Sequence, residues 1–187
     1  MRPPLWMVWN LFLAVVPLGL SVWLFRLAPG RNAVWWCGVG LFVAFLPNAP
    51  YVLSDVVHLV PRLESEPSWL QAIVLLSGFG AFILIGLEAY TLSIASLRHY
   101  LGRTVAPVEL GLHGLAAVGV YLGRVQRFNS WDLLGNGHAV MHTLLKSLRP
   151  WPVVLITFTF VVTVVACETL LRVNVLAARA VGRRPGP

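Results

Sequence analysis

The chain has 187 residues, of which 58% are hydrophobic and only 11% are charged, and its mean hydropathy is +0.78. A soluble domain of this length usually carries about a quarter charged residues, so the 14 basic and 7 acidic side chains leave no room for a separate soluble domain. The composition is typical of a multi-pass membrane protein. The net charge of +7 does not indicate nucleic-acid binding, because the arginines are scattered singly at the ends of apolar segments.

Five apolar segments are long enough to cross a bilayer core of about 30 Å. Because backbone groups in lipid must satisfy their own hydrogen bonds, we predict an all-α integral membrane bundle of about five transmembrane helices. We expect a single membrane-embedded domain over residues 1–180 and a disordered tail over residues 181–187. In chain order the predicted spans are Leu5–Phe25, Ala33–Leu46 with a continuation to Val60, Trp69–Leu97, Thr104–Leu122 and Trp151–Leu171.

Five crossings assign every loop to one of two membrane faces. We call face A the side that holds the N-terminus and the loops after the second and fourth crossings, and face B the opposite side. Face B carries eight Lys and Arg residues and face A carries six. The positive-inside rule therefore favours a cytoplasmic face B, with the N-terminus outside and the C-terminus in the cytoplasm.

Polar residues interrupt the second apolar segment in the sequence FLPNAPYVLSDVVHL. Asn48, Tyr51, Asp55 and His58 are spaced three, four and three residues apart, so on an α-helix they share one face within an arc of about 80°. An intramembrane carboxylate costs about 2.5–3.5 kcal/mol on insertion scales and usually faces a partner. The stripe is therefore a candidate binding surface that rises toward face A.

A purely structural interpretation of the same stretch is also open. Pro47 and Pro50 can break the helix, and Asn48 can cap a second short helix that starts within the bilayer. Asp55 and His58 would then be solvated at the membrane interface.

A second polar group ends the fourth span, in the sequence YLGRVQRFNSWDLL. Arg124 and Arg127 lie one helical turn apart and on the same side. They can be ordinary arginines at the end of a span, followed by Asn129 as the cap of a new helix with Asp132 three residues later. Alternatively, the two arginines bind an anion such as a lipid phosphate, or pair with Asp55.

The segment NGHAVMHTLLKSLRP follows. His138 and His142 are four residues apart and could chelate a metal on a helix, but Lys146 and Arg149 continue the same stripe and disfavour a divalent cation. This pattern predicts one basic amphipathic helix that lies among the lipid headgroups.

Three further polar groups within the apolar segments have plain structural interpretations. Glu88 falls at the face B boundary, and Glu168 can pair with Arg172 one turn later. His113 is expected to be a helix-contact residue.

Three separated segments bring polar groups to face A at a similar depth, which predicts a pocket there. The candidate ligand-binding residues are Asn10, Asn48, Tyr51, Asp55, His58, Arg124, Arg127, Asn129 and Asp132.

The segments WNLFLAVVPL, FLPNAPYVLSDVVHL and YLGRVQRFNSWDLL resemble the signature segments of a bacterial multi-pass membrane family catalogued as domain of unknown function 1361. The resemblance covers nearly the whole chain. It implies a small integral protein of the bacterial inner (plasma) membrane, with no established activity. It adds Pro50 and Trp131 to the motif positions and does not extend to His138 or His142.

Three functions remain open. The first is a non-catalytic protein whose face A pocket binds a lipid headgroup, a small anion or a partner. The second is an intramembrane hydrolase or transferase for a lipid-linked substrate, in which Asp55 and His58 act as acid and base or, with Asp132 or a further ligand, hold a divalent metal. The third is a transporter or channel lined by Asn48, which the scarcity of polar residues at the midplane and face B disfavours.

We favour the first function, because no nucleophile and base pair is readable from the sequence. We expect no cofactor and no metal, with Asp55 and His58 as the weak metal candidates. Membrane lipids are the expected partners, anionic headgroups among them, and nucleic acid is not. The sequence does not decide whether the protein is an enzyme, and it identifies no protein partner.

Overall fold

The structure of the protein is a computed structural model that describes residues 5–28, 30–65, 68–128, 135–146 and 149–182. Within these ranges every regular element is helical. The predicted all-α bundle with five crossings is confirmed. The five helical segments that are long and apolar enough to cross a membrane are Leu5–Leu27, Ala33–Glu64, Trp69–Leu101, Val105–Val125 and Pro150–Gly182.

The first two crossings are irregular, and the later ones are continuous helices. The last helix, Pro150–Gly182, extends beyond the predicted fifth span and includes the first two residues of the predicted tail, whose remainder lies outside the described residues. The elements are α1 (Leu5–Val22), a π-helical turn (Trp23–Leu27), α2 (Ala33–Phe45), α3 (Asn48–Tyr51), a 3-10 helix (Val52–His58), α4 (Leu59–Glu64), α5 (Trp69–Leu101), a 3-10 turn (Gly102–Thr104), α6 (Val105–Val125), α7 (Gly137–Lys146) and α8 (Pro150–Gly182).

Polar caps mark where two of the crossings begin. The side chain of Asn32 accepts a hydrogen bond from the backbone N–H of Trp35 at 2.9 Å, and α2 starts there. Ser68 does the same for the N–H of Gln71 at 3.3 Å, at the start of α5. Each cap satisfies one of the backbone donors that the first turn of a helix leaves without a partner.

The outer surface of the bundle is apolar. On α8, Val154, Phe158 and Val165 are all more than half exposed, whereas Thr163 and Cys167 are the buried residues of that helix. Such a continuous apolar exterior is the pattern of a helix that faces lipid.

A break in the second crossing brings its polar residues into the bundle. Helix α3 packs against α1, α5 and α6, and glycines allow a close approach to the residues that flank α3 on either side. A Cβ atom on Gly86 of α5 would lie 2.5 Å from Val52, and one on Gly119 of α6 would lie 2.5 Å from Pro47. The break is therefore held between two helices at positions where only glycine fits.

Asn48 has a different role from the predicted cap. The residue that precedes α3 is Pro47, and Asn48 is the first helical residue. Its side-chain Nδ2 donates to the backbone carbonyl of Phe45 at 2.9 Å. The capping prediction is wrong because Asn48 satisfies a carbonyl at the C-terminal end of α2, instead of an N–H of the helix it begins.

Candidate functional site

Asp55 is the centre of a buried polar cluster at face A. The residue is only 1% exposed, and both of its carboxylate oxygens accept hydrogen bonds. Oδ1 accepts from Arg124 Nη2 at 2.5 Å, and Oδ2 accepts from Asn10 Nδ2 at 2.9 Å. These contacts join the first, second and fourth crossings through one buried charge, which is paired as a buried charge must be.

The other two guanidinium nitrogens of Arg124 also contact side chains of this cluster. Its Nε donates to Ser54 Oγ at 3.0 Å, and its Nη1 lies 3.3 Å from His58 Nε2. The guanidinium carbon lies over the ring of Tyr51, 5.0 Å from the centroid. Arg124 is therefore bound by four side chains of the second crossing, counting Asp55.

The 3-10 geometry explains why these side chains meet. Residues three apart eclipse one another in a 3-10 helix, so His58 lies directly above Asp55. Ser54, which is not among the predicted site residues, lies three residues after Tyr51. It therefore joins the cluster from an adjacent side of the same 3-10 helix. The α-helical period that the sequence analysis assumed does not hold for residues 52–58.

His58 also contacts the first crossing. Its ring centroid lies 5.0 Å from that of Trp6, and the guanidinium of Arg62 lies 5.9 Å from the Trp6 ring centroid. Because Arg124 can only donate hydrogen bonds, His58 Nε2 is the acceptor in their contact.

A cavity of about 470 Å³ lies beside this cluster. Its polar lining residues are Asn10, Asn48, Tyr51 and Arg127, and neither Asp55 nor His58 is among the residues that line it. The rest of the wall is largely apolar: Trp9, Leu13, Val43, Ala44, Pro47, Leu115, Val118, Gly119, Leu122, Gly123, Phe128, Gly137, Val140, Met141 and Leu144.

Arg127 and Arg124 do not share a helix face, which corrects the sequence prediction. Helix α6 ends at Val125, and Arg127 has a positive φ of 59°. A left-handed backbone at a residue other than glycine is uncommon, and such residues occur at turns after helices and at functional sites. This turn directs Arg127 to the cavity while Arg124 points to Asp55. Among the described residues, no carboxylate forms an ion pair with Arg127.

Helix α7 closes one side of the cavity. Val140, Met141 and Leu144 contribute its apolar face to the wall, while His138 and His142 are exposed, with nearly parallel rings 6.3 Å apart. The amphipathic pattern of the sequence is thus present in the helix. In the described part of the chain, no group of three or more His, Cys, Asp or Glu side chains could hold a metal ion.

Two predicted site residues, Asn129 and Asp132, lie outside the described residues. Of the other seven, Asn10, Tyr51, Asp55, His58 and Arg124 come together in the buried cluster. Asn48 and Arg127 line the cavity, which Asn10 and Tyr51 also reach. The polar cluster and the cavity wall therefore share two residues, Asn10 and Tyr51.

In the face B half of the bundle, Glu168 and Glu88 both contact side chains of other helices. Glu168 pairs with Arg98 of α5, not with Arg172 of its own helix. Glu88 accepts a hydrogen bond from Asn174 of α8 at 3.0 Å. His113 is a helix-contact residue, as predicted, and it is buried in a polar environment. The interior of the face B half is thus more polar than the apolar sequence indicates.

Comparisons with known proteins agree with the resemblance in the sequence. A search of curated proteins and a search of solved structures found no match. A family model described as "Protein of unknown function (DUF1361)" matches residues 9–165, which include Asn10, the interrupted second crossing and Arg124. Since this match covers well over half of the sequence, the chain belongs to the DUF1361 family of proteins of unknown function.

Proposed function

We propose that this multi-pass membrane protein binds an anionic amphiphile in the cavity at face A, with the acidic headgroup on Arg127 and the apolar chain along the cavity wall. One observation carries the proposal: among the described residues, Arg127 is the one charged side chain that lines a cavity whose other walls are largely apolar. Arginine binds phosphate and carboxylate through two parallel hydrogen bonds. An apolar chain would bury the surfaces of Val118, Met141 and Leu144 from water.

The polar cluster supports this function indirectly. Asn10 and Tyr51 line the cavity, and both are held from behind: Asp55 accepts from Asn10, and Arg124 lies over Tyr51. Side chains that are fixed by such supporting contacts present a preorganised surface to a ligand. Asp55 and Arg124 are positioning residues in this account.

The alternative of an intramembrane hydrolase or transferase has less support. A general base must lie within hydrogen-bond reach of the substrate, whereas Asp55 is only 1% exposed and already binds two side chains of the protein. His58 Nε2 faces Arg124, and neither Asp55 nor His58 lines the cavity.

We also propose a location in the bacterial inner (plasma) membrane, with the N-terminus outside and the C-terminus in the cytoplasm. The support is the resemblance of the sequence to a bacterial membrane family and the excess of eight basic residues on face B over six on face A. The cavity would then open toward the outer leaflet.

Native mass spectrometry of the purified chain tests the binding proposal. The probes are lysophosphatidylglycerol as an anionic amphiphile, lysophosphatidylcholine as a zwitterion with the same chain, and inorganic phosphate as an anion without a chain. We expect the anionic amphiphile to bind best, and Arg127→Ala to weaken its binding about ten-fold, since a charge-assisted contact is lost.

Arg149→Ala is the matched control, because Arg149 is an exposed arginine near face A that does not line the cavity. It should leave binding unchanged. If inorganic phosphate binds as tightly as the amphiphile, the ligand of the cavity is a free anion and not a lipid. Equal binding of lysophosphatidylglycerol to the native chain and to Arg127→Ala would overturn the proposal.

A further inference from the structure

A second polar network lies in the face B half of the bundle, away from the cavity. Glu109 of α6 accepts hydrogen bonds from both Nε and Nη2 of Arg98, and Glu168 of α8 accepts from the same Nη2. His113 Nε2 lies 3.2 Å from Glu109 Oε1, and Tyr90 Oη lies 2.7 Å from His113 Nδ1. The contacts form one continuous chain of polar groups across α5, α6 and α8.

The network runs from the membrane face into the interior. Tyr90 is fully buried, His113 is 3% exposed and Glu109 is 7% exposed, whereas the side chain of Glu168 is 39% exposed. Glu109 lies one turn from the start of α6 at face B, and His113 lies roughly 12 Å from that start along the helix. The outer end is thus near water, and the inner end is within the membrane.

The charges of this network do not balance. Among the described side chains, two carboxylates, Glu109 and Glu168, contact one guanidinium, Arg98, so the network carries one net negative charge when both carboxylates are ionised and His113 is neutral. An uncompensated charge is unfavourable inside a membrane. One added proton makes the network neutral, and His113 is the one member whose ordinary chemistry accepts a proton near neutral pH.

We propose that His113 and Glu109 form a proton-binding site in the face B half of the bundle, which takes up one proton from water at that face. In the unprotonated network, Tyr90 donates its hydroxyl hydrogen to His113 Nδ1, while the Nε2 hydrogen is donated to Glu109. Hydronium at the membrane face supplies the proton and becomes water. The protonated imidazole then carries a hydrogen on both nitrogens: Nε2–H is donated to Glu109 and the new Nδ1–H to the Tyr90 oxygen, while the Tyr90 hydroxyl keeps its own hydrogen and turns it away from the ring.

Each neighbouring element contributes groups that favour or oppose this proton. Helix α5 contributes Arg98, which keeps its own proton and opposes a second positive charge, and Tyr90, which is neutral. Helix α8 contributes Glu168, which favours the proton, and Cys167, a buried neutral thiol. Burial of the imidazole opposes the added charge, and the negative charge of Glu109, in direct contact with the imidazole, is the strongest favourable influence.

Nitrogen-15 NMR of the full chain, labelled at histidine and held in lipid nanodiscs, tests the proposal, because the neutral and protonated imidazoles have different nitrogen shifts. The His113 signals are assigned by their loss in His113→Gln. Over about pH 5–9, where an unperturbed histidine titrates, we expect His113 to convert reversibly between the two forms while the helix content by circular dichroism stays constant. A His113 signal that stays in one form throughout this range, in folded protein, would overturn the proposal.

Glu168→Gln tests the connection to face B. At the pH where His113 of the native chain is half protonated, the ratio of protonated to neutral imidazole should fall about three-fold or more, because one nearby negative charge is lost. Glu64→Gln removes an exposed acid of α4 near face A and should leave the ratio unchanged. An unchanged ratio in Glu168→Gln would contradict the proposed site.

Discussion

Asp55 and Arg124 are 69 positions apart in the chain, and their side chains form an ion pair at 2.5 Å in which Asp55 is almost fully buried. Arg124→Met should destabilise the protein by about 3–5 kcal/mol, because it leaves a buried carboxylate without its cation. Asp55→Asn should cost less, about 1–3 kcal/mol, since Arg124 is 25% exposed and keeps access to water. The free energy of unfolding, from titration with a denaturing detergent, measures both effects.

The double variant gives the sharper result. With both charges removed, no buried charge is left unpaired. The loss in free energy of unfolding for the double variant Asp55→Asn, Arg124→Met should therefore be smaller than the sum of the two single losses, and the difference should be at least about 1 kcal/mol. Arg149→Met, at an exposed site near face A, serves as the control and should change stability by less than about 0.5 kcal/mol. Additive single effects would show that the two side chains do not stabilise each other.

Gly119 should tolerate no side chain. A Cβ atom there would lie 2.5 Å from both Cβ and Cγ of Pro47, whose ring is rigid, whereas a Cβ on Gly111 of the same helix meets nothing within 4 Å. We expect Gly119→Ala to lower the thermal midpoint of unfolding, and Gly111→Ala to leave it unchanged or raise it, as alanine normally does in a helix. Equal midpoints for the two variants would contradict the observed packing of α3 against α6.

The sequence predicts the crossings well because their signal is local. Long apolar runs and the demand for internal hydrogen bonds in lipid are sufficient to define five helices. Pairing of the arginines with Asp55 is one of three interpretations that the sequence allows, since a buried carboxylate needs a partner, but nothing in the sequence selects Arg124 over Arg127.

The parts that the sequence does not predict depend on non-local packing or on irregular backbone. Ser54 joins the cluster because residues 52–58 form a 3-10 helix, and no residue in that stretch distinguishes this period from the α-helical one. Arg127 lies just after the end of α6 and has a positive φ. A glycine at this position would have indicated such a backbone in the sequence, but an arginine does not. Glu168 binds Arg98 instead of Arg172 because the tertiary partner is nearer than the local one.

The volume of the cavity should limit ligand binding. Val118 lines the cavity, and Val118→Phe would fill part of it, whereas Leu110→Phe would enlarge an outward side chain of the same helix that is 60% exposed. We expect Val118→Phe to weaken lysophosphatidylglycerol binding about ten-fold, with at most about 1–3 kcal/mol lost in stability. Native mass spectrometry measures the binding, which Leu110→Phe should not change. Undiminished binding to Val118→Phe would mean that the ligand does not enter the cavity.

The proposed orientation is testable with single cysteines. In a background of Cys37→Ser and Cys167→Ala, Ser65→Cys places an exposed thiol at face A and Gly30→Cys places one at face B. A membrane-impermeant maleimide applied to intact spheroplasts should label the first thiol, and should reach the second only after permeabilisation. The reverse pattern would place face A in the cytoplasm.

The most direct test of the proposed function is photo-crosslinking with an anionic phospholipid that carries a diazirine in its acyl chain, followed by mapping of the modified residues by mass spectrometry. The account predicts labels on the cavity wall, at Val43, Val118 and Met141, and a large loss of these labels in Arg127→Ala. Labels confined to outward residues such as Phe158, with no difference between the native chain and Arg127→Ala, would contradict it.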